Sequence, residues 1–130
     1  MIVLDASVAY AFVLRDPSGS LVNTLLAEGA LMAAPHLIDA EVGHAIRSNV
    51  LRGVVSSERG LAAIKTMLAL PLERYAHGPL LERAFDFRDN ATIYDAVYLA
   101  LAEALIAPLL TLDRALTRVP GILAEVRLLV

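Results

Sequence analysis

The chain of 130 residues contains no cysteine, which excludes a disulfide framework, a thiolate metal site and a cysteine nucleophile together. Aromatic residues make up only 5% of it, too few for a platform on which successive bases would stack; Phe85, Phe87, Tyr94 and Tyr98 are expected in the core instead. No run of basic residues occurs. The 11 lysines and arginines are scattered and leave a net charge of -3, which argues against a protein that grips nucleic acid by bulk electrostatics. Catalysis on RNA is still open to it, because a bound cation supplies local positive charge and folding can gather arginines on one face. A glycine-rich phosphate loop, a Ser/His/Asp arrangement, low-complexity tracts and repeats are likewise missing.

Apolar residues, by contrast, make up 58% of the chain. That amount builds a substantial core in one domain, expected over residues 1–130, and leaves hydrophobic surface to spare for a partner, expected on the helices between residues 20 and 70. The opening Met1-Ile2-Val3-Leu4-Asp5 has no basic n-region and meets an acid at position 5, so it is expected to be a first buried strand and the protein cytoplasmic. The most apolar stretch, residues 96–112, contains Glu103 and is broken by Pro108. A buried helix followed by a buried strand accounts for it better than a membrane span does.

Periodicity organises the rest. Short apolar runs at residues 2–4, 31–34, 109–112 and 126–130 predict strands, and residues 71–75, with Pro71 and the charged Glu73-Arg74, predict an edge strand. Helical spacing or cap residues predict helices over 6–14, 20–28, 36–52, 56–70, 79–87, 92–105 and, briefly, 113–118. Asp16-Pro17-Ser18-Gly19 reads as a turn, Pro35 as another, and Gly29 and Gly53 as helix stops. Strands separated by helices predict an α/β fold, a parallel sheet with helices on both faces in three layers.

Four acids stand in apolar surroundings: Asp5, Glu41, Asp95 and Asp113. Each has a local explanation. Asp5 and Asp113 precede helices and suit N-caps, Thr92 and Asp95 suit a capping box, and Glu41 lies where a helix dipole favours negative charge. In a parallel α/β sheet, however, strand C-termini and helix N-termini share one edge, and ligands bind there. Acids gathered at that edge raise one another's pKa unless a cation is shared. With no cysteine and only His36, His44 and His77, the ion expected is hard and oxygen-preferring, Mg²⁺ or Mn²⁺ in preference to zinc. Ser7 and Thr111, each two residues from an acid, are expected either to hydrogen-bond a carboxylate or metal-bound water, or to make local caps. Such a site suits metal-assisted phosphodiester hydrolysis.

The motif order resembles the PIN-domain family and, within it, the VapC-type toxins. Ile2-Val3-Leu4-Asp5-Ala6-Ser7 is similar to the family's opening Asp-x-Ser strand end. Glu41-Val42-Gly43-His44-Ala45-Ile46-Arg47 is similar to its Glu-x-x-Asn-x-Leu-Arg helix, with His44 in place of Asn. Tyr94-Asp95-Ala96-Val97-Tyr98 and Pro108-Leu109-Leu110-Thr111-Leu112-Asp113 resemble its last two motifs, and Ala107 stands where Gly often precedes the Pro. The resemblance implies a five-stranded parallel sheet, metal-site roles for Asp5, Glu41, Asp95 and Asp113, Mg²⁺ or Mn²⁺ dependence, endonucleolytic cleavage of RNA, a homodimer and inhibition by a VapB-like antitoxin.

Two other α/β readings fail on residues. A response-regulator receiver needs paired acids after its first strand and a late lysine, whereas Asp5 is single and Lys65 is the only lysine. A haloacid-dehalogenase phosphatase needs Asp-x-Asp, and Asp5 is followed by Ala6-Ser7. The non-enzymatic alternative is a PIN-like scaffold that binds a partner or RNA without cutting it.

Overall fold

The computed structural model describes residues 1–129; Val130, the end of the expected last strand, lies outside them. The elements run β1 (Ile2–Leu4), α1 (Ala6–Val13), α2 (Leu21–Ala27), β2 (Met32–Pro35), α3 (Leu37–Leu51), α4 (Ser57–Ala69), β3 (Leu72–Tyr75), α5 (Leu81–Asp86), α6 (Ile93–Leu105), β4 (Leu109–Thr111) and β5 (Val126–Leu128). The strands form one parallel sheet in the order β3-β2-β1-β4-β5, so the expected α/β architecture is the one observed. Helices α1, α3 and α4 pack on one another, and α5 packs with α6, which lies along β1 and β2.

Chain order explains the central feature. From β1 the chain builds outward through β2 to β3, then returns to lay β4 on the other side of β1. The strand order therefore reverses between β1 and β4, and a crevice opens beyond their carboxyl ends. Val3 and Leu4 of β1 are fully buried, as are Ala33 and Ala34 of β2; these small alanines let packed helices approach the sheet closely. In α6 every residue from Ala96 to Ala102 is buried, the mark of a helix covered all round. Among the described residues no helix is long and apolar enough to cross a membrane. Glu103, the acid within that apolar stretch, is held by the Arg83 guanidinium at 2.7 and 2.9 Å and accepts from the Leu123 N–H at 2.8 Å.

Several expectations shift. Pro35 is the last residue of β2, paired with Tyr75, and not a turn; a proline at a strand end costs the ladder little. Residues 79–87 divide into a 3₁₀ turn (Gly78–Leu80) and α5, and 113–118 is a 3₁₀ helix (Arg114–Arg118). Phe87 and Tyr98 are core residues as expected, but Phe85 and Tyr94 are mostly exposed, because each lies on the outer face of its helix. The turns at Gly29 and Gly53, with φ of 67° and 74°, require glycine's freedom.

Arg15 and Ile106 adopt the same left-handed conformation, with φ of 60° and 50°, though neither is glycine. Each follows a helix C-terminus. After α1 the N–H of Arg15 donates to Phe12 and that of Asp16 to Ala11, the paired bonds of a Schellman cap, whose pivot normally falls to glycine. Ile106→Gly is expected to stabilise the fold by about 1 kcal/mol and Arg15→Gly by somewhat less, the relief of Cβ strain outweighing glycine's entropy. Urea denaturation of the two variants checks this.

Candidate active site

Asp5 follows β1 directly, and its backbone N–H donates to Leu110 O at 3.0 Å, carrying the β1–β4 ladder past the strand's end. Its carboxylate is buried, yet it makes no cap to α1. Oδ2 instead accepts from Ser7 Oγ at 2.6 Å and from Thr111 Oγ1 at 2.8 Å. Ser7 Oγ in turn accepts from the Leu112 N–H at 3.0 Å, and Thr111 Oγ1 from the Asp113 N–H at 2.9 Å. Two hydroxyls thus lock the end of β4 to the start of α1 and fix one oxygen of Asp5. Oδ1 accepts none of these bonds. Since no buried side-chain oxygen among the described residues lacks a partner, Oδ1 retains some contact with solvent although Asp5 is buried.

The other acids arrive from separate elements. Glu41, one turn into α3, is half-buried, and its Oε1 accepts from the Tyr98 hydroxyl at 2.7 Å. Asp95 lies in the first turn of α6, whose N-terminus is capped by Thr92 Oγ1 accepting from the Asp95 N–H at 3.1 Å. Asp113 is exposed and caps the following 3₁₀ helix, its Oδ1 accepting from the Ala115 N–H at 2.9 Å. The local cap reading therefore holds for Asp113 and for Thr92, and it fails for Asp5, whose carboxylate turns to hydroxyls at the start of α1 and the end of β4.

Electrostatics join the four. Burial pushes the Glu41 carboxyl above the ordinary range, the Tyr98 hydrogen bond opposes the shift, and the charges of Asp5 and Asp95 add to it. Burial likewise raises Asp95, reinforced by the charges of Asp5 and Asp113. Tyr98, wholly buried against Glu41, has its phenol pushed far up by burial and by that carboxylate, so it stays a hydrogen-bond donor. Like charges held together in a partly desolvated crevice are the environment a hard divalent cation relieves. Among the described residues no three acid or histidine side chains stand ready to clasp one ion. The fit lies in the donors, oxygen-only and charged, and such a set suits an ion that keeps several of its waters and binds one or two carboxylates directly.

Tyr98 was missed as a site residue and expected only in the core. The signal lay in spacing: it follows Asp95 by three positions, so both side chains share one face of α6. His44 is exposed on α3 and makes no side-chain hydrogen bond among the described residues. His77 caps α3 from outside the site, its Nε2 accepting from the Leu37 N–H at 2.8 Å.

The PIN-domain family model matches residues 2–122. The chain is a PIN-domain protein. By sequence this PIN domain groups with the VapC type: it is 43% identical to Ribonuclease VapC1 of Mycobacterium tuberculosis over 98% of its own length and 96% of that protein's. It is 41% identical to Ribonuclease VapC12 of the same organism, over 98% of each. Two solved structures share the fold. One is PAE2754 from Pyrobaculum aerophilum, with a TM-score of 0.72, 23% identity and 96% and 82% of the two chains covered. The other is VapBC2 from Rickettsia felis bound to a DNA fragment from their promoter, with a TM-score of 0.71, 18% identity and 97% and 98% covered.

Proposed function

We propose that this PIN domain is a divalent-metal-dependent endoribonuclease, the toxin of a cytoplasmic toxin–antitoxin pair, working with Mg²⁺ or Mn²⁺ at Asp5, Glu41, Asp95 and Asp113. The observation that carries the reading is the gathering of these acids from four elements around the β1/β4 switch point, two of them with pKa raised by burial and, after it, by the charges of their neighbours. The relatives named as VapC ribonucleases support the substrate class.

A bound cation would lower the pKa of a water and balance charge building on the phosphate. The chain's own groups have distinct tasks. Ser7 and Thr111 hold Asp5 Oδ2, which fixes the carboxylate in one orientation and leaves Oδ1 for a cation. Tyr98 orients Glu41 and, by donating to Oε1, favours its ionised form. Asp95 has its backbone fixed in the first turn of α6 by the Thr92 cap. Asp113, exposed at the rim, is suited to act through water or toward a second ion.

The decisive experiment incubates the purified protein with single-stranded RNA and DNA oligonucleotides. Internal cleavage of RNA in Mg²⁺ or Mn²⁺, loss in chelator and recovery on re-addition are expected. Cleavage that persists in chelator, or intact RNA with both metals, refutes the reading. For the toxin role, the neighbouring open reading frame should encode a small DNA-binding antitoxin that co-purifies with this chain and inhibits it. Exposed Leu51, Val54, Leu61 and Leu68 along α3, α4 and their connection offer the apolar surface for that partner or for a second copy of the chain.

Tyr98→Phe removes the one influence that holds Glu41 down. The acid limb of the pH–rate profile is expected to move to higher pH, with the rate falling more at mildly acidic than at alkaline pH. A uniform loss across pH would assign Tyr98 to packing alone.

A further inference from the structure

A four-acid crevice repels the polyanion it is read to cut, and the chain as a whole is negative. Some cationic contact must offset this near the site, and three arginines are already committed to acids of the chain. Arg74 pairs with Asp39, Arg83 with Glu103 and Asp86, and Arg127 with Glu125. A cavity of about 580 Å³ lies beside the crevice, between the C-terminal turn of α1 and the start of α4. Ser7 and Leu112, the two residues whose side-chain and backbone groups meet at 3.0 Å next to Asp5, line its inner end. Arg15 and Arg59 line its walls.

The two arginines differ from the paired ones. Arg59 donates from Nη2 to the Leu14 carbonyl at 2.9 Å, which anchors the guanidinium at the end of α1 while its remaining N–H groups have no side-chain or backbone partner among the described residues. The Arg15 side chain makes no hydrogen bond or ion pair with any described residue, and it borders a second cavity of about 460 Å³ as well. Its backbone, moreover, holds a left-handed conformation at a helix end where glycine would sit without strain. A strained position that brings its side chain no structural contact points to use by a ligand. Asp16 is the carboxylate in the cavity wall, and it is engaged within its own turn, accepting from Ser18 N and Oγ.

We propose that this cavity is a subsite for the RNA strand leaving the carboxylate crevice, in which Arg15 and Arg59 take a backbone phosphate. Guanidinium groups bind phosphate oxygens through paired, charge-assisted hydrogen bonds, and a strand crossing from acids to arginines has its nearest phosphate neutralised. The subsite rests on the ribonuclease reading above and supplies what that site lacks, a grip on the substrate outside the scissile bond.

The test measures anisotropy of a fluorescent random-sequence RNA 12-mer on the Asp5→Asn protein in Mg²⁺ over a range of salt. Adding Arg15→Gly is expected to weaken binding about tenfold and to reduce the slope of log affinity against log salt by about 0.7, one phosphate contact on a single strand. Arg15→Lys should recover most of the loss. Ile106→Gly, the matching left-handed site before β4, which lines neither cavity, should leave binding as it was, which separates charge from stability. In the otherwise native protein the loss from Arg15→Gly should fall on KM more than on kcat. Unchanged affinity and salt slope in Arg15→Gly overturn the subsite, including the case in which the cavity serves a protein partner instead. If the native protein cuts no RNA yet Arg15→Gly still weakens 12-mer binding, the subsite stands and the nuclease reading fails.

Discussion

Replacing Asp5 with asparagine is expected to lower metal-dependent RNA cleavage by at least about a hundredfold, beyond the loss that follows removal of a mere outer-shell partner of a ligand, while the fold survives. The reason is local. An asparagine carbonyl can take over both hydrogen bonds that Ser7 and Thr111 donate to Oδ2, so the lock between β4 and α1 persists. The amide NH₂ then occupies the place of Oδ1 and presents protons where a cation needs an oxygen. In chelator the melting temperature should equal or exceed that of the native protein, because a buried charge beside Glu41 and Asp95 has been removed. Native cleavage rates in Asp5→Asn would eliminate the assigned site, and a molten variant would show that Asp5 is chiefly structural.

The pH dependence of stability should have opposite signs without and with metal. Glu41 and Asp95 have pKa values raised by folding, so the folded chain binds their protons more tightly than the unfolded chain does. Between the ordinary carboxylate values, about pH 4 to 4.5, and the raised ones, stability falls as pH increases. The metal-free protein is therefore expected to gain stability on acidification into that window, before general acid unfolding intervenes. A divalent ion binds the deprotonated acids and should reverse the trend. At a hundredfold excess over its Kd it adds about 2.7 kcal/mol, roughly 10 °C in melting temperature for a domain of this size, at neutral pH and much less in acid. Thermal melts with and without Mg²⁺ or Mn²⁺ across pH check both signs. A metal increment that did not shrink in acid would remove these carboxylates from the site.

Much of the fold is legible in the chain because its signals are local. Apolar runs mark the strands, helical spacing marks α3 and α6, and Ser56 and Thr92 announce their helices as N-caps. Boundaries moved where a cap came from outside the segment, as at α3, whose first N–H is taken by His77 from far along the chain. Phe85 and Tyr94 were misplaced into the core because composition says nothing of which helix face is covered. Arg15 in a left-handed turn has no sequence signal, since the position favours glycine and the chain departs from it.

By itself the sequence determined the α/β class and the parallel order implied by alternating strands and helices, and it singled out the four acids as candidates, since residue type and motif survive without coordinates. Only the tertiary structure decided how those acids are held. Asp5 is bound by Ser7 and by Thr111, 106 positions away, and Glu41 by Tyr98, 57 positions away. The pKa shifts of Glu41 and Asp95 also belong to that level, because desolvation and repulsion depend on distances through space between groups that the chain order keeps apart.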